Sequence, residues 1–279
     1  MFPSRQVVRR IVEGALAEDV GRGDVTTAAF VDADADSRAV YLARNEMVLC
    51  GGPLLPVVFE VEDPRVSVEV HFPDGIRVQP GTVFAEAEGP AVSLLAAERI
   101  SLNFLQRLSG IATVARRYVD AVCGTGAEIL DTRKTTPGLR ALEKYAVRVG
   151  GARNHRSGLD DGILVKENHL VAAGGLERIM EKLGSLNRGL LQVEIEVQSL
   201  DQLRALLELP VDVVMLDNMT AVQVAEAVQI VGGKFKLEAS GGITLENVRE
   251  FAETGVDFIS IGALTHSYQS SDISFLLQN

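Results

Sequence analysis

Hydrophobic residues recur along this chain in two rhythms, and the change falls near residue 127. Val7, Val8, Ile11, Val12, Ala15 and Leu16 lie at helical spacing and predict an amphipathic N-terminal helix. A polar, glycine-punctuated loop is expected over 18–27. Strand-like runs follow near 38–49, 66–72 and 82–87, with turns at Pro73-Asp74-Gly75 and Gln79-Pro80-Gly81. A broad apolar face carrying Leu94, Leu95, Ile100, Leu102, Phe104, Leu105 and Leu108 predicts a long helix over roughly 91–121. Helix, short strands and helix again make an α+β region.

Beyond residue 127, short apolar runs alternate with helical stretches. Strands are expected at 128–131, 163–166, 191–196, 213–217, 235–240 and 258–262. Helices are expected near 138–149, 175–184, 199–208, 220–230 and 244–254. Near-continuous apolar strands with helical crossovers imply a parallel sheet covered on both faces. Glu196, Asp217, Ser240 and Gly262 close successive runs at intervals of 21, 23 and 22 residues, each one β–α unit. Asp131, Lys166, Glu196, Asp217 and Ser240 each end an apolar run. A barrel gathers chemistry at the carboxyl ends of its strands, whereas a doubly wound sheet uses a single switch point. Polar chemistry at nearly every strand end favours a barrel, and six strands rather than eight make it incomplete.

At 279 residues the chain is long enough for one large domain or two modest ones. No apolar run approaches the ~18–20 residues that span a bilayer. The N-terminus lacks the apolar core of a signal peptide. Cys50 and Cys123 form no C-x-x-C, which fits a reducing, cytoplasmic setting. The formal charge is −11, with no Trp, which argues against a nucleic-acid partner. Against that background, residues 131–169 hold eight of the 27 Lys and Arg and five acids, for a local charge of +3. A cationic concentration in an acidic chain reads as a pocket for a small anion.

Arg133, His155, Arg156 and Lys166 are the candidate anion grip, since guanidinium groups bind carboxylates and phosphates in bidentate fashion. Arg140, Lys144 and Arg148 fall four residues apart on a helix and read as an exposed face or as a layer behind the ligand-contacting residues, with Glu143 as partner. Glu194 and Glu196 alternate on one strand and share a face, and Asp217 ends the next strand. Such carboxylates suit Mg²⁺ or sugar hydroxyls, or serve as salt-bridge partners for the nearby cations. Ser240-Gly241-Gly242 and Gly262-Ala263 allow backbone N–H groups close to a phosphate, assisted by a helix expected to start near Thr244. The residues by themselves describe a Mg²⁺-assisted barrel enzyme for a substrate with carboxylate and phosphate groups.

An ordered series of motifs spans nearly the whole chain. It runs through Glu18-Asp19, Gly23-Asp24-Val25-Thr26, Ala97-Glu98-Arg99 and Leu102-Asn103-Phe104-Leu105-Gln106. It continues through 130–145, Asn154-His155-Arg156, Lys166-Glu167-Asn168-His169, Leu216-Asp217-Asn218-Met219, Glu238-Ala239-Ser240-Gly241-Gly242 and Ile261-Gly262-Ala263. This series resembles the quinolinate phosphoribosyltransferase family. The resemblance implies an N-terminal α+β open sandwich over 1–106, joined by the tail 267–279, and an incomplete α/β barrel over 107–266. It implies a homodimer with shared sites, in which Arg99 reaches the partner's site and joins Arg133, His155, Arg156 and Lys166 around quinolinate. Lys134, Glu196, Asp217, Ser240, Gly241, Gly242 and Gly262 then face the phosphoribosyl half of phosphoribosyl pyrophosphate (PRPP). Lys134, Glu196 and Asp217 are the expected catalytic groups, with Glu196 and Asp217 holding Mg²⁺ directly or indirectly. The implied reaction is a pentosyl transfer that yields nicotinate mononucleotide, pyrophosphate and CO₂ in de novo NAD biosynthesis. Two alternatives share these residues: a molybdenum-utilisation paralogue of the same fold, and a Schiff-base aldolase using Lys166.

Overall fold

The computed structural model describes residues 1–185 and 189–278. In chain order the elements begin with α1 (Arg5–Val20), α2 (Val25–Phe30), β1 (Asp36–Ala43), β2 (Met47–Val48), α3 (Leu55–Glu62), β3 (Ser67–Val70), β4 (Arg77–Val78), β5 (Val83–Pro90) and α4 (Ala91–Ala121). They continue with β6 (Glu128–Leu130), α5 (Arg140–Val149), β7 (Ile163–Val165), α6 (Glu167–Ala173), α7 (Leu176–Leu183), β8 (Val193–Val197) and α8 (Leu200–Ala205). Last come β9 (Val213–Asp217), α9 (Ala221–Val231), β10 (Lys236–Ser240), α10 (Val248–Ala252), β11 (Phe258–Ser260), α11 (Ala263–His266) and β12 (Ile273–Gln278).

The chain forms two compact units. One comprises Met1–Arg116, Thr135–Gly151 and the residues from Leu264 onward, and the other comprises Arg117–Lys134 and Ala152–Ala263. The boundary expected at 106/107 falls inside α4. In the first unit, β12-β1-β5-β3 form an antiparallel sheet. The tail strand β12 pairs along β1 from Ala43↔Ile273 to Arg38↔Gln278. Tyr41 anchors this unit's core against Phe275 at a 4.9 Å ring separation and donates its hydroxyl hydrogen to Ser101 Oγ at 2.7 Å.

Several local expectations are corrected here. The loop expected over 18–27 ends in α2, because the Asp24 side chain caps it by accepting from the N–H groups of Thr26 and Thr27. Helix α3 lies between the runs expected at 38–49 and 66–72, where no element was anticipated; its Leu55, Val57, Val58 and Phe59 are all buried. Of the two readings of Arg140, Lys144 and Arg148, the exposed face fails for Lys144, and its expected partner Glu143 is interior too. Both are buried, and Glu143 accepts from Arg107 Nε at 2.9 Å and from the Thr136 N–H at 3.0 Å. The four-residue spacing of charges described the helix correctly but not which side of it is covered.

The second unit is a six-stranded parallel sheet in the order β6-β11-β10-β9-β8-β7. The first strand pairs with the last, which is the closure of a barrel, while β6 and β7 are not paired with each other. At that seam Arg153 makes a single parallel bridge to Leu130, its N–H donating to Ile129 O at 2.8 Å. This is the incomplete α/β barrel expected from six strand-like runs. Register places Ser240 beside Asp217 and Ser260, and Glu238 beside Met215, so alternate residues of β8, β9 and β10 share one face.

Candidate functional site

The turn after β6 starts the site. Asp131 is fully buried and accepts the His155 N–H at 2.9 Å and Asn154 Nδ2 at 2.5 Å. It thereby clamps the segment 154–156 to the end of β6. The Arg133 side chain follows, with its Nε buried and without a hydrogen-bond partner. Arg156 donates Nη1 to Gly162 O at 3.0 Å. Its guanidinium pKa is held below the ordinary value, first by burial and then by the Arg133 charge, with Glu194 and Asp161 opposing. Two arginines close enough to repel each other, one with an unsatisfied buried N–H, form a site that an anion relieves.

A second cluster lies at the carboxyl ends of the strands. Lys166, immediately after β7, donates Nζ to Glu196 on β8 at 3.0 Å. Asp217 closes β9, and its carboxyl pKa is raised by burial first and by the Glu196 charge second, while Asn218 and Lys166 pull it down. Mutual repulsion between Glu196 and Asp217 is the signature of a carboxylate pair suited to a hard cation or to a developing positive charge. Lys134 is exposed, its N–H donating to Thr132 Oγ1 at 3.0 Å.

Ser240 ends β10 and leads into Gly241 and Gly242, with φ of 94° and 65°. A Cβ on Gly241 would sit 2.2 Å from Asn218 Oδ1, so both backbone and space demand glycine. Asn218 is the non-glycine residue with positive φ among the described residues (55°), and its N–H donates to Ser240 O at 2.8 Å. This ties the β9 and β10 loops together. Gly262 was expected to close the last strand and lies two residues past the end of β11. The helix expected near Thr244 begins at Val248; residues 244–247 form a turn in which Asn247 Oδ1 accepts the Thr244 N–H. A five-residue helix starting there does not supply the dipole anticipated for a phosphate.

All of these residues belong to the second unit. Arg99 belongs to the first unit, exposed on α4. His155 has both ring nitrogens engaged within the second unit: Nδ1 accepts the Arg156 N–H at 2.7 Å, and Nε2 lies 2.8 Å from Glu194 Oε2 and 3.6 Å from Glu238 Oε2. Glu238 was missed as a site residue, and so were the clamp role of Asp131 and the strained Asn218. For Glu238 a signal existed, since it stands two residues before Ser240 on one strand and shares its face. Nothing in the sequence announces the backbone of Asn218.

The family of quinolinate phosphoribosyl transferase C-terminal domains matches residues 111–276, and that of the N-terminal domains matches residues 24–109. A Bacillus subtilis (strain 168) protein named "probable nicotinate-nucleotide pyrophosphorylase (carboxylating)" is 41% identical over 267 residues, covering 96% of this chain and 92% of its own. The crystal structure of nicotinate-nucleotide pyrophosphorylase from Ehrlichia chaffeensis superposes with a TM-score of 0.92 at 40% identity, covering 96% of this chain and 98% of that one. The nicotinate-nucleotide pyrophosphorylase structure from Francisella tularensis gives 0.93 at 40% identity, covering 99% and 98%. With both domain families matched in order and relatives alike over most of their length, this chain belongs to the quinolinate phosphoribosyl transferase family.

Proposed function

We propose that the protein transfers the phosphoribosyl group of PRPP to quinolinate, releasing pyrophosphate and CO₂ and forming nicotinate mononucleotide for NAD synthesis. The observation that carries this reading is the crowding of Arg133 against Arg156, with a buried unsatisfied Nε, in the same unit as the Glu196–Asp217 pair. The arginines match the two adjacent carboxylates of quinolinate. Glu196 and Asp217 match the ribose hydroxyls and the positive charge that grows at C1′ as pyrophosphate leaves. Ser240, Gly241, Gly242 and Gly262 present main-chain groups to the 5′-phosphate, and Lys134 reaches toward the pyrophosphate.

The pyridine nitrogen attacks C1′, and the resulting pyridinium draws electrons from the adjacent carboxylate, which leaves as CO₂. The protein's part is positioning and electrostatics. The hard oxygens of Glu196 and Asp217 fit Mg²⁺, held directly or through the substrate, where it would neutralise the departing pyrophosphate. Lys166 is the residue a Schiff-base aldolase would use, yet its Nζ is paired with Glu196 and its side chain is 46% exposed, unlike a desolvated nucleophilic amine.

The protein is further proposed to act as a cytoplasmic homodimer in which Arg99 completes the partner's quinolinate site. Arg99→Ala and Lys166→Ala chains, each inactive, should then regain partial activity when mixed and allowed to exchange subunits. The direct test is to incubate purified protein with Mg²⁺, PRPP and quinolinate and follow CO₂ and nicotinate mononucleotide together. Formation of both, dependent on both substrates, supports the reading. A folded protein that makes neither has the fold without the activity, as the molybdenum-utilisation paralogue would.

A further inference from the structure

Between the carboxylate that ends β9 and the glycine turn after β10 stands Asn218, whose backbone and side chain are both committed. Its φ is 55°, a left-handed conformation that a Cβ makes costly and that asparagine tolerates better than most residues. The residue is exposed, so burial of apolar surface does not offset that cost. The turn into α9 does not need its side chain either, because Thr220 caps that helix by accepting the Gln223 N–H. What the conformation achieves is three contacts. The Asn218 N–H donates to Ser240 O at 2.8 Å. Its Nδ2 donates to Asp217 Oδ2 at 2.8 Å. Its Oδ1 fills the space beside Gly241, 2.2 Å from where a Cβ would stand. The amide can face only one way, because an ionised carboxylate accepts and does not donate: the nitrogen belongs to Asp217 and the oxygen to Gly241.

We propose that Asn218 is the positioning residue of the ribose 5-phosphate half of the site, fixing the Asp217 carboxylate at a set distance from the Gly241–Gly242 main chain so that one sugar phosphate meets both. The inference rests on the PRPP reading above, with Asp217 on the ribose hydroxyls and the glycine turn on the 5′-phosphate. Strand register pairs Asp217 with Ser240 and brings the two strand ends side by side. Register governs the main chain alone, and a carboxylate turns about its own side-chain bonds. Glu196 repels this one, so a donor is needed to keep it aimed. The Gln198 side chain also bonds the Asp217 carboxylate; Asn218 in addition ties it to β10. A carboxylate and a phosphate cradle held in place beforehand lower the ordering cost of binding the group that spans them. The effect therefore falls on the sugar phosphate and not on the pyridine dicarboxylate. Asn218 acts through Asp217 and Gly241 and not by touching the substrate.

The test compares Asn218→Asp with Asn218→Gly. Asn218→Asp keeps the shape and the tolerance of a left-handed backbone but sets an anion against Asp217 where a donor stood. It should raise the PRPP KM about 30-fold while the quinolinate KM changes by less than about threefold. Asn218→Gly keeps the backbone and its N–H bond to Ser240 but leaves Asp217 unheld, and should raise the PRPP KM about fivefold. Both should melt within about 4 °C of the native protein, since the backbone conformation is preserved. A native PRPP KM in Asn218→Asp, equal losses for both substrates, or a larger loss in Asn218→Gly than in Asn218→Asp overturns the proposal. So does a fall in melting temperature above about 10 °C in both variants, which would make Asn218 a folding residue. Calorimetric binding of ribose 5-phosphate reads the same half of the site without turnover. The native protein should bind it about tenfold more tightly than Asn218→Asp does. Equal affinity, or no binding by the native protein, overturns the proposal. A native protein that binds ribose 5-phosphate with this dependence yet makes no nicotinate mononucleotide would sink the quinolinate reading and leave the role of Asn218 standing.

Discussion

Glu194 and Glu196 are two residues apart on one strand and point the same way, yet they live in different chemistry. Glu194 sits inside the sheet, 5% exposed, between the His155 ring and a second buried acid. Glu196 sits at the strand end, paired with a half-exposed lysine and crowding Asp217. One two-residue repeat of the strand separates a region where charge must be balanced for the barrel to fold from one where charge is kept in excess for a ligand. The same contrast divides the cations. Arg107 is spent on the fully buried Glu143, whereas Arg133 retains an unsatisfied buried N–H. A polar group satisfied by the fold stabilises it, and one left short of partners is where a substrate finds its free energy.

The largest effect that would break this comparison is expected in the interior. His155→Leu leaves the buried Glu194 carboxylate without its ring partner and should cost about 3 kcal/mol or more in urea unfolding, as broken buried pairs do. A loss below 1 kcal/mol would show the interior cluster to be as dispensable as a surface pair. At the strand ends, Arg133→Ala should raise the quinolinate KM about 100-fold, near 3 kcal/mol, with PRPP affected less than about threefold. Equal loss for both substrates would remove Arg133 from the carboxylate site. Gly241→Ala must move Asn218 and force alanine to a φ near 94°, so about 1–3 kcal/mol of strain should appear as weaker PRPP binding in calorimetry.

Smaller effects sharpen the contrast. The folded-state pKa of Glu238 lies above its unfolded value, so its acid form favours folding. That contribution is complete below the ordinary carboxylate range and is lost as pH climbs through about 8. Glu238→Gln should therefore melt higher than the native protein near pH 9, with the gap closing toward about pH 5. Identical melting shifts at both pH values would contradict the buried acid. Lys166→Ala, which removes a half-exposed ion pair, should change unfolding stability by less than about 1 kcal/mol while abolishing turnover.

Much of the second unit was legible because strand ends announce themselves. Asp217 and Ser240 end β9 and β10 as the apolar runs predicted, and register sets them side by side. Helix α6 was not read as a helix because Glu167, Asn168 and His169 carry no apolar stripe, and none of its residues is buried. Lys144 was misjudged for the opposite reason: a charge on a helical face reads as solvated until a neighbour covers it. The first unit's α3 escaped notice because it is short, and its apolar run Val57-Val58-Phe59 does not distinguish a helix from a strand by period.

Taken alone, the sequence determined the alternation of strands and helices, the polar strand ends and the cationic segment, because those depend on local period and composition. It also carried the ordered motifs that identify the family. Only the tertiary structure decided that the first barrel strand pairs with the last, that Asp131 clamps 154–156, and that Glu238 stands beside Glu194 and His155. The reason is that pairing of distant strands and burial of a charge are set by neighbours far away in the chain. A linear pattern records each residue's own preference and says nothing of which neighbour satisfies it.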